Sequence, residues 1–172
     1  PDGIAWTMAP LPLPPSDGES LVAVAGGSDG YLAVGSIGVR QSRLAGWFSA
    51  TGTQWTLLEN EPIAGWFEDV TVGRDGNFVA VGSDYSASSA HESVVHDAVW
   101  RASADGSDWR RSARLATSDG PGQDDLSYVV ALANGYVAMG MHARPGAEIS
   151  CKGCAFDPDL WRAYTSLDGT AW

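Results

Sequence analysis

The residues of this chain best suited to chemistry fall into short clusters. Cys151 and Cys154, the two cysteines, stand in Cys-Lys-Gly-Cys. That spacing suits a small disulfide, a shared metal ion or a redox pair. A redox pair belongs at the start of a helix that follows a strand, and no helical pattern surrounds this one. A zinc site would need two further ligands. A structural disulfide is therefore the expectation, with an oxidising, extracytoplasmic location. Asp157-Pro-Asp159 and Asp124-Asp125 offer closely spaced carboxylate oxygens, the ligands calcium takes, although neither completes a calcium loop. His91, Glu92, His96 and Asp97 form another set, with the histidines five apart in a Ser/Ala-rich stretch, a spacing that reads as an exposed loop. Trp66-Phe67 beside Glu68-Asp69 sets aromatic faces next to carboxylates. That combination stacks a sugar or a partner side chain, or else packs between sheets. None of these clusters forms a catalytic constellation, and no catalytic residue is assigned.

Net charge is −11, which argues against nucleic acid as a partner, since its binders need a basic stripe, and against anionic membrane surfaces. Hydrophobic residues make up 44% and charged residues 18%, so the chain is globular and not disordered. No apolar run has the length of a membrane helix. With 21 glycines and 8 tryptophans, the composition points to many turns and aromatic packing, an all-β chain.

Internal repeats organise the sequence. Gly30-Tyr-Leu-Ala-Val-Gly35, Gly76-Asn-Phe-Val-Ala-Val-Gly82 and Gly135-Tyr-Val-Ala-Met-Gly140 superpose, each led by a turn dipeptide: Asp29-Gly30, Asp75-Gly76 or Asn134-Gly135. Such dipeptides accept the positive φ of a tight hairpin. Apolar segments on both sides predict a first and a second strand. A second turn follows each hairpin. It reads Ser103-Ala-Asp105-Gly106-Ser-Asp-Trp109 and Ser166-Leu-Asp168-Gly169-Thr-Ala-Trp172, with a weaker copy at Ser49-Ala-Thr-Gly52-Thr-Gln-Trp55 and a tail at Asp2-Gly3-Ile-Ala-Trp6. An apolar strand before each full turn and a strand beginning near its Trp complete a four-stranded unit. The turn tryptophans at 6, 55, 109 and 172 recur at a period of roughly 50–60 residues, the length of a propeller blade.

These Ser-x-Asp-Gly-x-x-Trp turns resemble Asp-box, or BNR, repeats of sialidase-like propellers, in a form one residue shorter between Asp and Gly. The resemblance implies an all-β fold of three tandem four-stranded antiparallel blades. Residues 1–9 would be the last strand of a preceding blade, and 10–59, 60–114 and 115–172 would be the three blades. Asp105 and Asp168 are expected to accept hydrogen bonds from their own turns, Gly52, Gly106 and Gly169 to supply the unusual φ, and the tryptophans to pack between blades.

In such an arrangement the short turns share one end of the sheets. The longer connections, Ser36–Leu44, Ser83–Asp97 and Met141–Asp159 between second and third strands, share the other end with the connections from one unit to the next, and together these gather most of the acidic residues, among them Glu68, Asp69, Asp84, Asp97, Asp124 and Asp125. Long loops on a rigid scaffold commonly carry function. The expected function is a non-catalytic binding module, secreted or surface-displayed, engaging a protein or carbohydrate partner through these acidic loops. The alternative is a fragment of a sialidase-like glycoside hydrolase or lyase, which would need an arginine cluster and a carboxylate pair. Arg101, Arg110, Arg111 and Arg162 instead fall beside the box turns. Three blades do not close a ring. The chain reads as a piece of a longer polypeptide, with a six-bladed ring built from two copies as the other possibility.

Overall fold

The computed structural model describes residues 8–12, 18–38, 42–58, 63–85, 96–115, 123–143 and 161–172, with the backbone alone at 19, 123–125, 142 and 143. These residues form eleven strands and no helix. Strands β1 (Glu19–Gly26), β2 (Tyr31–Ile37), β3 (Arg43–Ser49) and β4 (Thr56–Leu57) make sheet A, in chain order and antiparallel. Strands β5 (Gly65–Val72), β6 (Phe78–Asp84), β7 (His96–Ala102) and β8 (Arg110–Arg114) repeat the pattern in sheet B. Strands β9 (Gln123–Leu132), β10 (Gly135–Ala143) and β11 (Trp161–Ser166) make a three-stranded sheet C. The protein is thus all-β, with three antiparallel sheets.

Several strands run further than the sequence reading allowed. Ser36, Ile37, Arg43 and Leu44 lie in β2 and β3, Ser83 and Asp84 in β6, His96 and Asp97 in β7, and Met141 in β10. Glu68 and Asp69 lie in β5, and Asp124 and Asp125 in β9. The acids assigned to loops at these positions are strand residues, because the ladder continues until its partner strand ends, whatever the local polarity.

The Gly-led repeat has a structural cause. The first strand of each sheet carries one extra residue: Val22 in β1, Glu68 in β5 and Ser127 in β9. A bulge brings the first strand's backbone close to its partner. The partner position is a glycine each time, Gly35, Gly82 or Gly140. A Cβ at Gly35 would overlap the carbonyl oxygen of Ser20, and one at Gly82 that of Trp66.

Each sheet has two distinct faces, since successive strand residues alternate. On sheet A, Leu32 and Val34 pack with Leu44 against Phe67, Val70, Phe78, Ala80 and Trp100 of sheet B. On the other face of sheet B, Val79, Val81 and Val99 pack against Leu126, Val129, Tyr136 and Ala138 of sheet C. The register therefore makes Leu32/Val34, Val79/Val81 and Val137/Met139 equivalent forward faces. Tyr31/Ala33, Phe78/Ala80 and Tyr136/Ala138 are the equivalent backward faces. Trp47 faces Ala33, Trp100 faces Ala80 and Tyr164 faces Ala138 in register, so Tyr164, not Trp161, takes the third copy of that aromatic position. The backward face of sheet A holds Ala33, Ile37, Ala45 and Trp47 under Leu11, Trp55 and Leu57, and the Trp47 indole N–H donates to the Pro12 carbonyl at 3.1 Å.

Candidate functional site

The ends of the sheets that bear the short turns are bound up in structure. In the second box, Asp105 Oδ1 accepts from the Ser103 and Ser107 hydroxyls, both at 2.7 Å, and from the Ser107 N–H at 3.0 Å. In the third, Asp168 accepts from the N–H groups of Thr170 at 2.9 Å and Ala171 at 3.3 Å, while the Ser166 hydroxyl accepts from the Gly169 N–H at 2.9 Å. In the first, where Thr51 replaces Asp, the Ser49 hydroxyl accepts from the Gly52 N–H at 2.8 Å. The glycines take φ of 79°, 75° and 74° at 52, 106 and 169, which favours Gly. Hydrogen bonds from Ser107 and Ser103 hold the Asp105 pKa down to about 2, and those from Thr170 and Ala171 hold Asp168 well below the usual carboxylate range. The turn tryptophans 55, 109 and 172 are half-buried, and Trp109 packs on Phe67 with ring centroids 5.4 Å apart.

Between two such turns, Asp75 joins sheets B and C. It accepts from Asn77 Nδ2 at 2.6 Å, from Arg101 at 2.6 Å and from the Tyr136 hydroxyl at 3.3 Å. Burial opposes its ionisation, and the bonds from Asn77 with the Arg101 charge outweigh that, lowering its pKa. Burial, with the Asp75 charge beside it, pushes the Tyr136 phenol up to about 12. A groove of about 290 Å³ lies alongside, lined by Arg74, Asp75, Asn134, Tyr136 and Asp168 among others. Each of these carboxylates is already engaged by its own turn or by a neighbouring sheet, so the groove offers a structural latch rather than reactive groups.

The opposite end of sheet B, from which the long connections leave, is richer in chemistry. Asp84, the last residue of β6, is fully buried, and its carboxylate is paired with Arg111 and, at 2.6 Å, with Arg114. A buried carboxylate needs such partners, and two guanidinium groups a third exposed meet that need. By its place in the sequence Arg111 stands beside a box turn, and nothing local shows that its guanidinium reaches a residue 27 positions earlier. On the face toward sheet C, Trp66, Ser83 and Asp97 stand in register across β5, β6 and β7. Ser83 and Asp97 are buried and Trp66 half-buried. The Trp66 indole N–H and the Ser83 hydroxyl are buried without a hydrogen-bond partner among the described residues. Trp66 also meets the Tyr85 ring edge-on, with centroids 4.6 Å apart. This row gives one fixed donor and a hydroxyl beside a carboxylate, enough to orient a water or one polar group of a ligand.

Of the other sequence-derived candidates, Glu68 is the bulge residue of β5. Asp69 does not face a ligand space: its two oxygens accept from the N–H groups of Val70 at 2.8 Å and Val129 at 2.9 Å. His96 is half-buried in β7, opposite Asp84, and is not the exposed loop residue expected. Asp2, Gly3, Trp6, His91, Cys151, Cys154, Asp157 and Asp159 lie outside the described residues, as do the side chains of Asp124 and Asp125. Among the described residues, no group of three His, Cys, Asp or Glu side chains is placed to hold a metal ion. In comparison with known proteins, no family model and no curated protein matches this sequence.

Proposed function

We propose that the chain is part of an Asp-box β-propeller, an exported, non-catalytic scaffold that binds a protein or carbohydrate partner at its loop-bearing end. The observation that supports this most is the order of the sheets. Three meanders follow one another in chain order, forward face on backward face, and β5, the first strand of sheet B, lies beside both β1 and β9. First strands side by side and later strands splayed outward is the radial plan of propeller blades. The Asp105 and Asp168 networks support the Asp-box assignment, with the carboxylate spent on holding its own turn.

Binding rather than catalysis is favoured by the fate of the charged groups. The arginines that converge at the loop-bearing end meet on Asp84, an acid of the chain itself, so both guanidinium groups are already engaged and one of their two charges is balanced there. Trp66 and Tyr85 add an aromatic pair at the same end, suited to a sugar face or a partner's side chain. The test is a glycan array together with hydrolysis of a fluorogenic sialoside. Saturable binding weakened by Trp66→Ala, with no hydrolysis, is the expected outcome. Turnover of the sialoside would overturn the non-catalytic reading in favour of a glycoside hydrolase or lyase.

A further inference from the structure

Sheet B changes character near its loop-bearing end. On the face it turns toward sheet C, Asp69, Val81 and Val99 stand in register across β5, β6 and β7. That row is closed. Val81 and Val99 pack with Leu126 and Val129, and the Asp69 carboxylate accepts the Val70 and Val129 N–H groups. The next row on the same face is Trp66, Ser83 and Asp97. Apolar side chains give way there to an indole N–H, a hydroxyl and a carboxylate.

Two of these groups are unusual for a protein interior. Ser83 is 0% exposed, and its hydroxyl has no hydrogen-bond partner among the described residues. The buried Trp66 indole N–H has none either. Buried polar atoms are nearly always paired, and an orphaned one costs free energy until something pairs it. Trp66 and Tyr85 are only half-buried and meet edge-on, so an aromatic wall open to solvent borders the row.

The kind of group that fits follows from the chemistry. An indole N–H only donates, an ionised carboxylate only accepts, and a hydroxyl between them does either. A ligand hydroxyl answers this set, accepting from Trp66 and donating to Asp97. A ligand carboxylate would meet Asp97 as a like charge, and a ligand ammonium has no lone pair to offer the indole. The arginines of β7 and β8 are engaged elsewhere: Arg101 with Asp75, Arg110 with Asp108, and Arg111 and Arg114 with Asp84. They do not stand ready for an acidic ligand.

We infer that Trp66, Ser83 and Asp97 form a subsite for a hydroxyl of a neutral sugar, with the Trp66–Tyr85 pair against the sugar ring. The inference rests on the binding reading above and narrows it, from a protein or carbohydrate partner to a glycan that presents no sialic or uronic acid at this position.

An array of neutral oligosaccharides, with the same oligosaccharides capped by sialic acid beside them, tests it. Calorimetric titration of a bound neutral oligosaccharide into wild type, Ser83→Ala and Trp66→Phe follows. The second variant keeps an aromatic ring and removes the N–H. Neutral glycans should bind, and each variant should weaken them about three- to tenfold, the loss of one hydrogen bond. Unliganded Ser83→Ala should melt at or above the wild-type temperature, because the hydroxyl it removes has no partner among the described residues. Binding of sialylated glycans alone, or of no glycan, would overturn the inference. So would a Ser83→Ala variant that keeps wild-type affinity or melts lower, as expected if the hydroxyl only holds a structural water. Each of these outcomes leaves a non-catalytic binding module standing, and that reading fails instead on turnover of the sialoside.

Discussion

The Asp69 carboxylate on β5 accepts the backbone N–H of Val129 on β9 at 2.9 Å, so one side chain ties the first strand of sheet B to the first strand of sheet C. Its other oxygen accepts the Val70 N–H at 2.8 Å, beside the bulge at Glu68. Both N–H groups are part-buried and need an acceptor. Asp69→Ala should therefore destabilise the fold by about 1–3 kcal/mol, the usual cost of stranding a buried donor. Urea unfolding followed by tryptophan fluorescence reads it directly.

The bulge glycines should tolerate no side chain. In Gly82→Ala the new Cβ would overlap the Trp66 carbonyl oxygen and lie 2.8 Å from the Phe67 Cα, both backbone atoms that cannot turn aside. A loss of about 1–3 kcal/mol or more is expected from such overpacking. Gly46→Ala is the control. Its Cβ would meet the Leu58 Cδ1 at an ordinary 3.5 Å, so stability should hold or rise by up to about 1 kcal/mol.

Buried aromatic plates carry much of the inter-sheet packing. Trp100 is 2% exposed and meets Phe67 edge-on with centroids 4.8 Å apart. Trp100→Ala should cost about 3–5 kcal/mol, the range for an aromatic deleted from a core. Thermal unfolding by calorimetry gives the comparison with wild type.

Acid should loosen the second box before it unfolds the strands. Asp105 has its pKa lowered from 3.8 to about 2 by Ser107 and Ser103. A depressed folded pKa means that the contribution is present above the unfolded value and is lost as pH falls through the folded one. Wild-type stability should therefore drop between about pH 4 and 2, and Asp105→Asn should flatten that part of the profile. A series of melting temperatures against pH in this window decides it.

At the alkaline end the sign reverses for Tyr136. Its pKa is raised from 10.0 to about 12, so the neutral phenol stabilises the fold below pH 10 and that stability is lost as pH rises toward 12. Ultraviolet difference titration should show the Tyr136 phenol ionising late. That late step should vanish in Tyr136→Phe. Asp75→Asn should bring it earlier by removing the neighbouring negative charge, though not to the ordinary value, because burial is the larger cause.

Turn chemistry is local, and the sequence alone determined what depends on it. Asp29-Gly30, Asp75-Gly76 and Asn134-Gly135 placed three hairpins, and the turns at Ser49–Trp55 and Ser103–Trp109 placed the third and fourth strands of sheets A and B, because turn residues declare a turn without help from the rest of the chain. The repeating glycines at 35, 82 and 140 were visible too, but their reason was not. Only the paired strand shows that each faces a bulge. The acids mark the limit most clearly. Asp69, Asp84 and Asp97 read as solvated loop residues, and the fold buries Asp84 and Asp97 and gives Asp69 an N–H from another sheet. Whether a carboxylate faces water is decided by partners far away along the chain, such as Arg111 and Arg114 for Asp84 and Val129 for Asp69, and by where a neighbouring strand stops. Those are distances in space, and the order of residues fixes them only after the sheets have stacked.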